Sequence, residues 1–338
     1  MSNRIRVVQC GVGNMGKQMV RIMARKRSLN LVGAVDNNQE LIGQDVGTAS
    51  GTKALHITVR NDLAAVLEET KPDIVTIATV KDPDVVFNQA KTCVRAKANV
   101  ISISCMSYPW VEYPELAKEL DGEAKKYGVT AIGDGLNPGF IMDLLPIVFT
   151  GVCVEVRKIT VHRTLDMSPY GREVIRHMGA GISVEEFRAK ARTKELKLHG
   201  GFKHSMAMIA DALGWELESM VEEAEPVIAK QFRRSDYCEI KPGMVSGYNH
   251  SCHGFMKGRK VAELRLHGVI KPELDDLTLG DWILIEGEPD IELFIKRELA
   301  QQGGLAGAAH PVNLIPFVVA AKPGLISVKD LPPAPPIV

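Results

Sequence analysis

A chain of 338 residues with 45% hydrophobic content is long enough for two domains, because single cores stop growing at about 250–300 residues. Lys+Arg and Asp+Glu both number 41, so a net charge of zero argues against nucleic acid or an anionic membrane surface as partner. The six cysteines (Cys10, Cys93, Cys105, Cys153, Cys238, Cys252) show no CxxC pair or framework spacing, which predicts reduced thiols in a cytoplasmic protein.

The start, MSNRIRVVQCGVG, enters a strand at once, so no signal peptide is expected, and no apolar run approaches the length of a membrane span. Strand and helix signals then alternate. Ile5–Cys10 is predicted as a strand, Met15–Arg27 as a helix, Leu31–Asp36 as a strand and Asp62–Lys71 as a helix. Asp73–Ala78 follows as an apolar strand, Pro83–Lys97 as a helix, Val100–Cys105 as a strand, Pro114–Tyr127 as a helix and Val129–Gly133 as a strand. Apolar strands alternating with helices imply a doubly wound parallel sheet covered on both faces, the Rossmann-type α/β class.

From Gly139 the pattern changes. Phe140–Phe149 reads as helical, Arg157–Arg163 as a half-buried strand, and Ser183 with Glu186 as a capping box opening a helix. Met206–Leu213 suggests another helix, while Val227–Phe232, Val261–Leu266 and Trp282–Glu286 suggest a mainly antiparallel sheet. Val312–Ala321 is a last apolar helix before a Pro-rich end. The organisation expected is a dinucleotide-binding domain over 1–138, a substrate and dimerisation domain of α+β type over 139–311, and a tail, 312–338, packing back on the first.

GVGNMG, Gly11 to Gly16, follows a strand and opens a helix, and Asp36 closes the next strand 20 residues past Gly16. Glycines there permit a tight turn and close approach of a pyrophosphate to the helix N-terminus, while an acid at Asp36 can accept both ribose hydroxyls. The expected cofactor contacts are Gly11, Gly13, Asn14, Met15, Gly16, Asp36, Ala78 and Thr79. Asp36 would repel a 2′-phosphate and the following NNQE supplies no arginine, so NAD is expected, with NADP as the alternative.

With those motifs in place, the chain resembles the 2,4-diaminopentanoate dehydrogenases and related native amine dehydrogenases of the dihydrodipicolinate reductase-like superfamily. The resemblance rests on GVGNMG with VGAVD, SYPW with PELAKELD, GLNPGFIMDLLPIVFTGVC, SPYG, MIADALGW, PGMVSGYNH and AKPGLISVKDLP. It implies NAD(P)-dependent oxidative deamination of a small diamino acid, 2,4-diaminopentanoate to 2-amino-4-oxopentanoate plus ammonia, a step of ornithine degradation, by a homodimer. It also implies pocket roles for Arg163 as a carboxylate anchor, for Tyr170 and His199, and for Asn137 and Phe140 in the NPGF hinge segment. Three positions depart from the family pattern. Ser104 and Cys105 stand where glutamates precede the YPW turn, Leu165 where asparagine is common, and Gly307 where threonine is common.

A substrate ammonium must lose a proton before its carbon can release hydride, so a base is required at the amine. Without the glutamate, Cys105, His199 and Tyr170 are the candidates for catalytic roles, and Leu165 joins the substrate-contact set. Each has a bland alternative: Cys105 as a small buried hydrophobe, His199 as a structural histidine, Arg163 as the partner of an acid such as Asp166. NHSCH offers His250, Cys252 and His253, but an extended segment would turn His253 away from the other two, so a polar strand or dimer contact is expected rather than a metal. Two other functions fit fewer features: cysteine-dependent aldehyde oxidation through Cys105 with His310 or His199 as base, and a non-catalytic nucleotide-binding protein.

Overall fold

The computed structural model describes residues 4–296 and 304–338. It divides into two compact units, Met1–Phe140 with Gln302–Val338, and Ile141–Gln301.

The first unit alternates β1 (Ile5–Cys10), α1 (Asn14–Met23), β2 (Leu29–Val35), α2 (Val46–Ala49), β3 (Val59–Arg60), α3 (Leu63–Thr70), β4 (Ile74–Ile77), α4 (Pro83–Arg95), β5 (Asn99–Ser102), α5 (Pro114–Tyr127) and β6 (Thr130–Gly133). Its central strands are apolar on both faces, because helices cover both sides: Val7 and Val8 of β1 and Ile74, Val75 and Ile77 of β4 are wholly buried. α4 and α5 press Phe87, Ala90, Cys93, Val94, Ala117 and Leu120 onto one face. Caps mark the helix starts: the Asp62 and Asp82 carboxylates accept from the Ala65 and Val85 amides at 3.0 Å, and Pro83 and Pro114 occupy first turns.

The second unit holds α6 (Leu144–Thr150), β7 (Glu155–Asp166), α7 (Arg172–His177), α8 (Val184–Arg192), α9 (Phe202–Leu213), β8 (Ser219–Ile228), β9 (Arg233–Arg234), β10 (Glu239–Ile240), β11 (Val245–Met256), β12 (Arg259–Val269), β13 (Gly280–Glu288) and β14 (Ile291–Lys296). Its six-stranded sheet runs β14-β13-β7-β12-β11-β8 and is antiparallel except where β12 meets β7. α6 and α9 pack on one face of it. α10 (Leu305–Val319) and β15 (Gly324–Ile326) then complete the first unit. β15 pairs in parallel with β6, giving the seven-stranded order β15-β6-β5-β4-β1-β2-β3.

Several predicted boundaries move. α6 starts at Leu144 rather than Phe140, because the Asp143 carboxylate accepts the Leu144 amide at 2.7 Å and starts the helix there. β8 spans Ser219–Ile228 rather than Val227–Phe232; it is an edge strand, and its Glu222, Glu223, Glu225 and Pro226 read as loop. β5 stops at Ser102, so Cys105 lies in the loop beyond it. α10 begins seven residues earlier than Val312, and α7 was not anticipated. Arg233 on β9 is buried, its guanidinium forked on Asp275 at 2.7 and 2.9 Å. Among the described residues no helix is long and apolar enough to cross a membrane.

Candidate active site

The three glycines of the first turn have separate jobs. Gly11 has φ +87° and lies so close to β4 that a Cβ would fall 2.4 Å from the Ala78 carbonyl oxygen. A Cβ on Gly16 would fall 1.9 Å from the Gly11 carbonyl oxygen, so this glycine is required where α1 passes under the turn. Around Gly13 there is open space, which is the room a pyrophosphate needs. Gly13 is also the cap residue of α1, gives it no side-chain hydrogen bond, and is followed by no acid in the first turn. The first amides and the positive end of the helix dipole are thereby left to an anion.

Asp36, next after β2, faces the same turn: its Oδ2 accepts the Val12 amide at 2.5 Å and its Oδ1 the Asn38 amide at 2.8 Å. Arg60 on the neighbouring β3 accepts the Asp36 amide through its carbonyl at 2.9 Å, and its guanidinium is paired with Glu69 at 2.5 Å. Ala78 and Thr79 continue β4; the Ala78 amide bonds the Cys10 carbonyl at 2.7 Å and the Thr79 hydroxyl donates to Gln89 at 2.8 Å. Gly11, Gly13, Asn14, Met15, Gly16, Asp36, Ala78 and Thr79 are therefore brought to one edge of one sheet. The open turn, uncapped helix and acid fit a dinucleotide.

Beyond β5, the Ser104 amide donates to the Ser102 hydroxyl at 3.2 Å and that hydroxyl donates to the Ser104 carbonyl at 2.9 Å, which turns the chain sharply. Cys105 follows with φ +60°, a left-handed conformation uncommon for any side-chain-bearing residue other than Asn or Asp. Its thiol donates to the Lys81 carbonyl at 3.4 Å. Burial pushes the thiol up, Lys81 opposes this, and Asp82 and Glu112 add to it. Cys105 is thus half-buried in a turn beyond the strand, neither a core hydrophobe nor, among the described residues, beside a histidine.

β6 ends in Gly133, where a Cβ would meet the Met106 backbone at 2.0 Å, so the loops after β5 and β6 lie against each other. Asp134 follows, with its amide on the Ser102 carbonyl at 2.9 Å and its carboxylate fully buried. Both of its oxygens lie 2.9–3.0 Å from Nδ1 of His310 on α10. Phe140 lies with its ring centroid 4.8 Å from that imidazole, and Asn137 is in the connecting loop.

In the second unit, Arg163 on β7 is buried and its Nε lies 2.5 Å from Asp281 on β13, the residue opposite it in register. The acid partner is thus Asp281 rather than Asp166, whose carboxylate accepts the Ser168 amide at 2.8 Å. Burial pushes the Asp281 carboxyl up while Arg163 pulls it down. Leu165 is buried opposite Gly268. Tyr170 turns the chain after β7, its amide on the Met167 carbonyl at 3.1 Å, and burial together with Tyr170 raises the Tyr248 phenol. His199 stands edge-on to Phe202 at 4.6 Å, and Phe202 edge-on to His250 at 4.8 Å. On β11, Ser251 and His253 share a face, their side chains 3.1 Å apart, while His250 faces α9. Among the described residues no three His, Cys, Asp or Glu side chains are grouped to hold a metal.

Asp134 and Asp281 were missed by sequence reasoning, because nothing local distinguishes a carboxylate whose partner lies more than a hundred residues away.

The doubly wound sheet, its glycine turn and its acid define the first unit as that of a nicotinamide-dependent dehydrogenase. Residues 5–104 match the model of the dihydrodipicolinate reductase N-terminus, and residues 140–338 match that of the 2,4-diaminopentanoate dehydrogenase C-terminal domain. The chain belongs to the 2,4-diaminopentanoate dehydrogenase family. It is 35% identical over 334 residues to 2,4-diaminopentanoate dehydrogenase of Acetoanaerobium sticklandii, covering 97% of this chain and 94% of that one. With the amine dehydrogenase of Streptomyces virginiae it shares 26% identity over 98% of each chain. The structure of the amine dehydrogenase from Mycobacterium smegmatis superimposes with a TM-score of 0.83 at 26% identity, covering 100% of this chain and 99% of that one.

Proposed function

We propose that the protein is an NAD-dependent amine dehydrogenase that deaminates 2,4-diaminopentanoate to 2-amino-4-oxopentanoate and ammonia. The observation that carries this is the 35% identity, over nearly the full length of both chains, to a protein of that name. When bound, the nicotinamide supplies a two-electron acceptor for the hydrogen on the amine-bearing carbon. The chain's own residues must hold the dinucleotide, orient the diamino acid and take a proton from its ammonium. Asn137, Phe140, Leu165, Tyr170 and His199 are the residues proposed to shape the pocket. A substrate carboxylate bound at Arg163 would share that cation with Asp281.

The direct test is incubation of purified protein with 2,4-diaminopentanoate and NAD at alkaline pH. NADH and ammonia in equal amounts are the expected result, and no turnover with this or any related diamine would refute the reading. Aldehyde oxidation through Cys105 finds no support here, since that chemistry needs a thiolate and burial pushes this thiol up. A cytoplasmic homodimer belongs to the same proposal.

The preference for NAD rests on Asp36. A ribose 2′-phosphate would meet its carboxylate, and Arg60 is engaged by Glu69. Asp36→Asn removes the charge but keeps an acceptor for the turn. The ratio of kcat/KM for NADP over NAD is expected to rise about tenfold, which is ~1.4 kcal/mol. A wild-type enzyme that already prefers NADP would contradict this assignment.

A further inference from the structure

We infer that His310, held by Asp134, is the base that takes the proton from the substrate ammonium; this rests on the amine dehydrogenase reading above. Asp134 is the first residue past β6, at the same sheet edge that carries the glycine turn after β1, Thr79 after β4 and Cys105 after β5. α10 brings His310 to that edge. At its start, a Cβ on Gly304 would lie 2.8 Å from the Met15 sulfur, and one on Gly307 would lie 3.4 Å from the Met15 methyl and 3.6 Å from Leu136 Cβ. The first turns of α10 therefore sit against the opening of α1, beside the room left for the dinucleotide.

The ring's state follows from its partner. A carboxylate accepts, and both Asp134 oxygens are on Nδ1, so Nδ1 is the donor of this contact and Nε2 is the ring nitrogen that would take up a proton. A fully buried carboxylate also balances the positive charge that appears when Nε2 takes a proton. Phe140 packs on the ring and, with Asp134, fixes its plane. The His310 side chain is 10% exposed, partly shielded from solvent. Burial pushes the thiol of Cys105, after β5 at this edge, up. Asp134 is a positioning residue and His310 the catalytic one.

The balance is simple. The ammonium gives one proton to Nε2, and the neutral amine then releases its α-hydrogen with two electrons to the oxidised nicotinamide. The resulting iminium takes up water and yields the ketone and an ammonium ion, while His310 returns its proton to solvent.

A structural role alone, tying α10 to β6, would predict different behaviour, and His310→Asn separates the two. The asparagine amide nitrogen takes the place of Nδ1 and can still donate to Asp134, but it has nothing that titrates. With 2,4-diaminopentanoate and NAD, kcat is expected to fall roughly 10²–10⁴-fold. NAD affinity by fluorescence titration and the melting temperature should stay near the wild-type values, the acidic limb of the kcat pH profile should vanish, and added imidazole should restore part of the rate. Asp134→Asn should lower kcat with NAD affinity retained. A His310→Asn enzyme within about threefold of wild-type kcat, with its acidic limb in place, would overturn the inference while wild-type turnover upheld the function. Absence of wild-type turnover would overturn the function, and this inference with it.

Discussion

Gly16→Ala is expected to weaken NAD binding by at least 100-fold, ~2.7 kcal/mol, in a protein that still folds. The new methyl would lie 1.9 Å from the Gly11 carbonyl oxygen and 2.9 Å from its carbon, backbone atoms that no rotamer change can move. Gly11 cannot retreat. Its amide is bonded to the Val35 carbonyl at 2.7 Å and its carbonyl accepts the Gln9 amide at 2.9 Å, with Gln9 itself held by the buried Thr76 hydroxyl at 2.7 Å. The clash must be relieved by moving α1 or opening the turn, and either displaces the amides offered to the pyrophosphate. Overpacking of this kind costs about 1–3 kcal/mol in stability, so the melting temperature should drop as well. Gly13→Ala is the useful contrast: nothing lies within 4 Å of its Cβ, so the fold should be untouched. Fluorescence titration with NAD beside thermal melts checks both, and undiminished NAD affinity in Gly16→Ala would show that the turn is not the binding site.

Arg163→Ala should destabilise the second unit by about 3–5 kcal/mol, because it leaves the buried Asp281 carboxyl without its cation. The pH dependence has a definite sign. Burial already pushes the Asp281 carboxyl above its ordinary 3.8, and Arg163 is the group that pulls it down. Without Arg163 the folded state holds its proton more tightly still, while the unfolded chain releases it from about pH 4 upward. The loss in stability should therefore be smallest near pH 4 and grow toward neutrality. Urea unfolding at pH 4.5 and pH 7.5 measures it; a deficit that shrinks with rising pH would contradict the pairing. Replacing both residues with apolar side chains of similar volume, Arg163→Met with Asp281→Leu, should recover much of the loss.

Much of the first unit was legible because its signals are local. α5 runs from Pro114 to Tyr127 as predicted: proline marks the first turn and Gly128, with φ +71°, supplies the left-handed residue that ends it. GVGNMG and Asp36 could be read for the same reason, since strand, turn, helix and acid follow one another within about thirty residues. What failed were contacts that only folding creates. Ser102–Cys105 continues an apolar strand pattern, but the Ser102 side chain bonds back to the Ser104 backbone and breaks the strand. For Arg163 the sequence offered only a neighbouring acid such as Asp166 as an alternative partner, whereas the sheet register places Asp281 across from it. The expected last helix began at Val312, which left His310 outside it. Yet Pro311 and Pro316 both lie within α10, and the partner of His310 is 176 residues away in sequence.

The order of elements has a consequence for how the polypeptide assembles. The second unit is inserted between Phe140 and Gln302, and the sheet that frames the dinucleotide edge gains its seventh strand only from Gly324–Ile326. The lid on one face of that sheet, α10, is also encoded after the insertion. During synthesis β1 through β6 therefore emerge with β6 as an unpaired sheet edge and part of the apolar face bare, and they remain so while the inserted unit is made. The pairing of β15 with β6 therefore closes a loop that contains the whole inserted unit, and it can form only after that unit has been made.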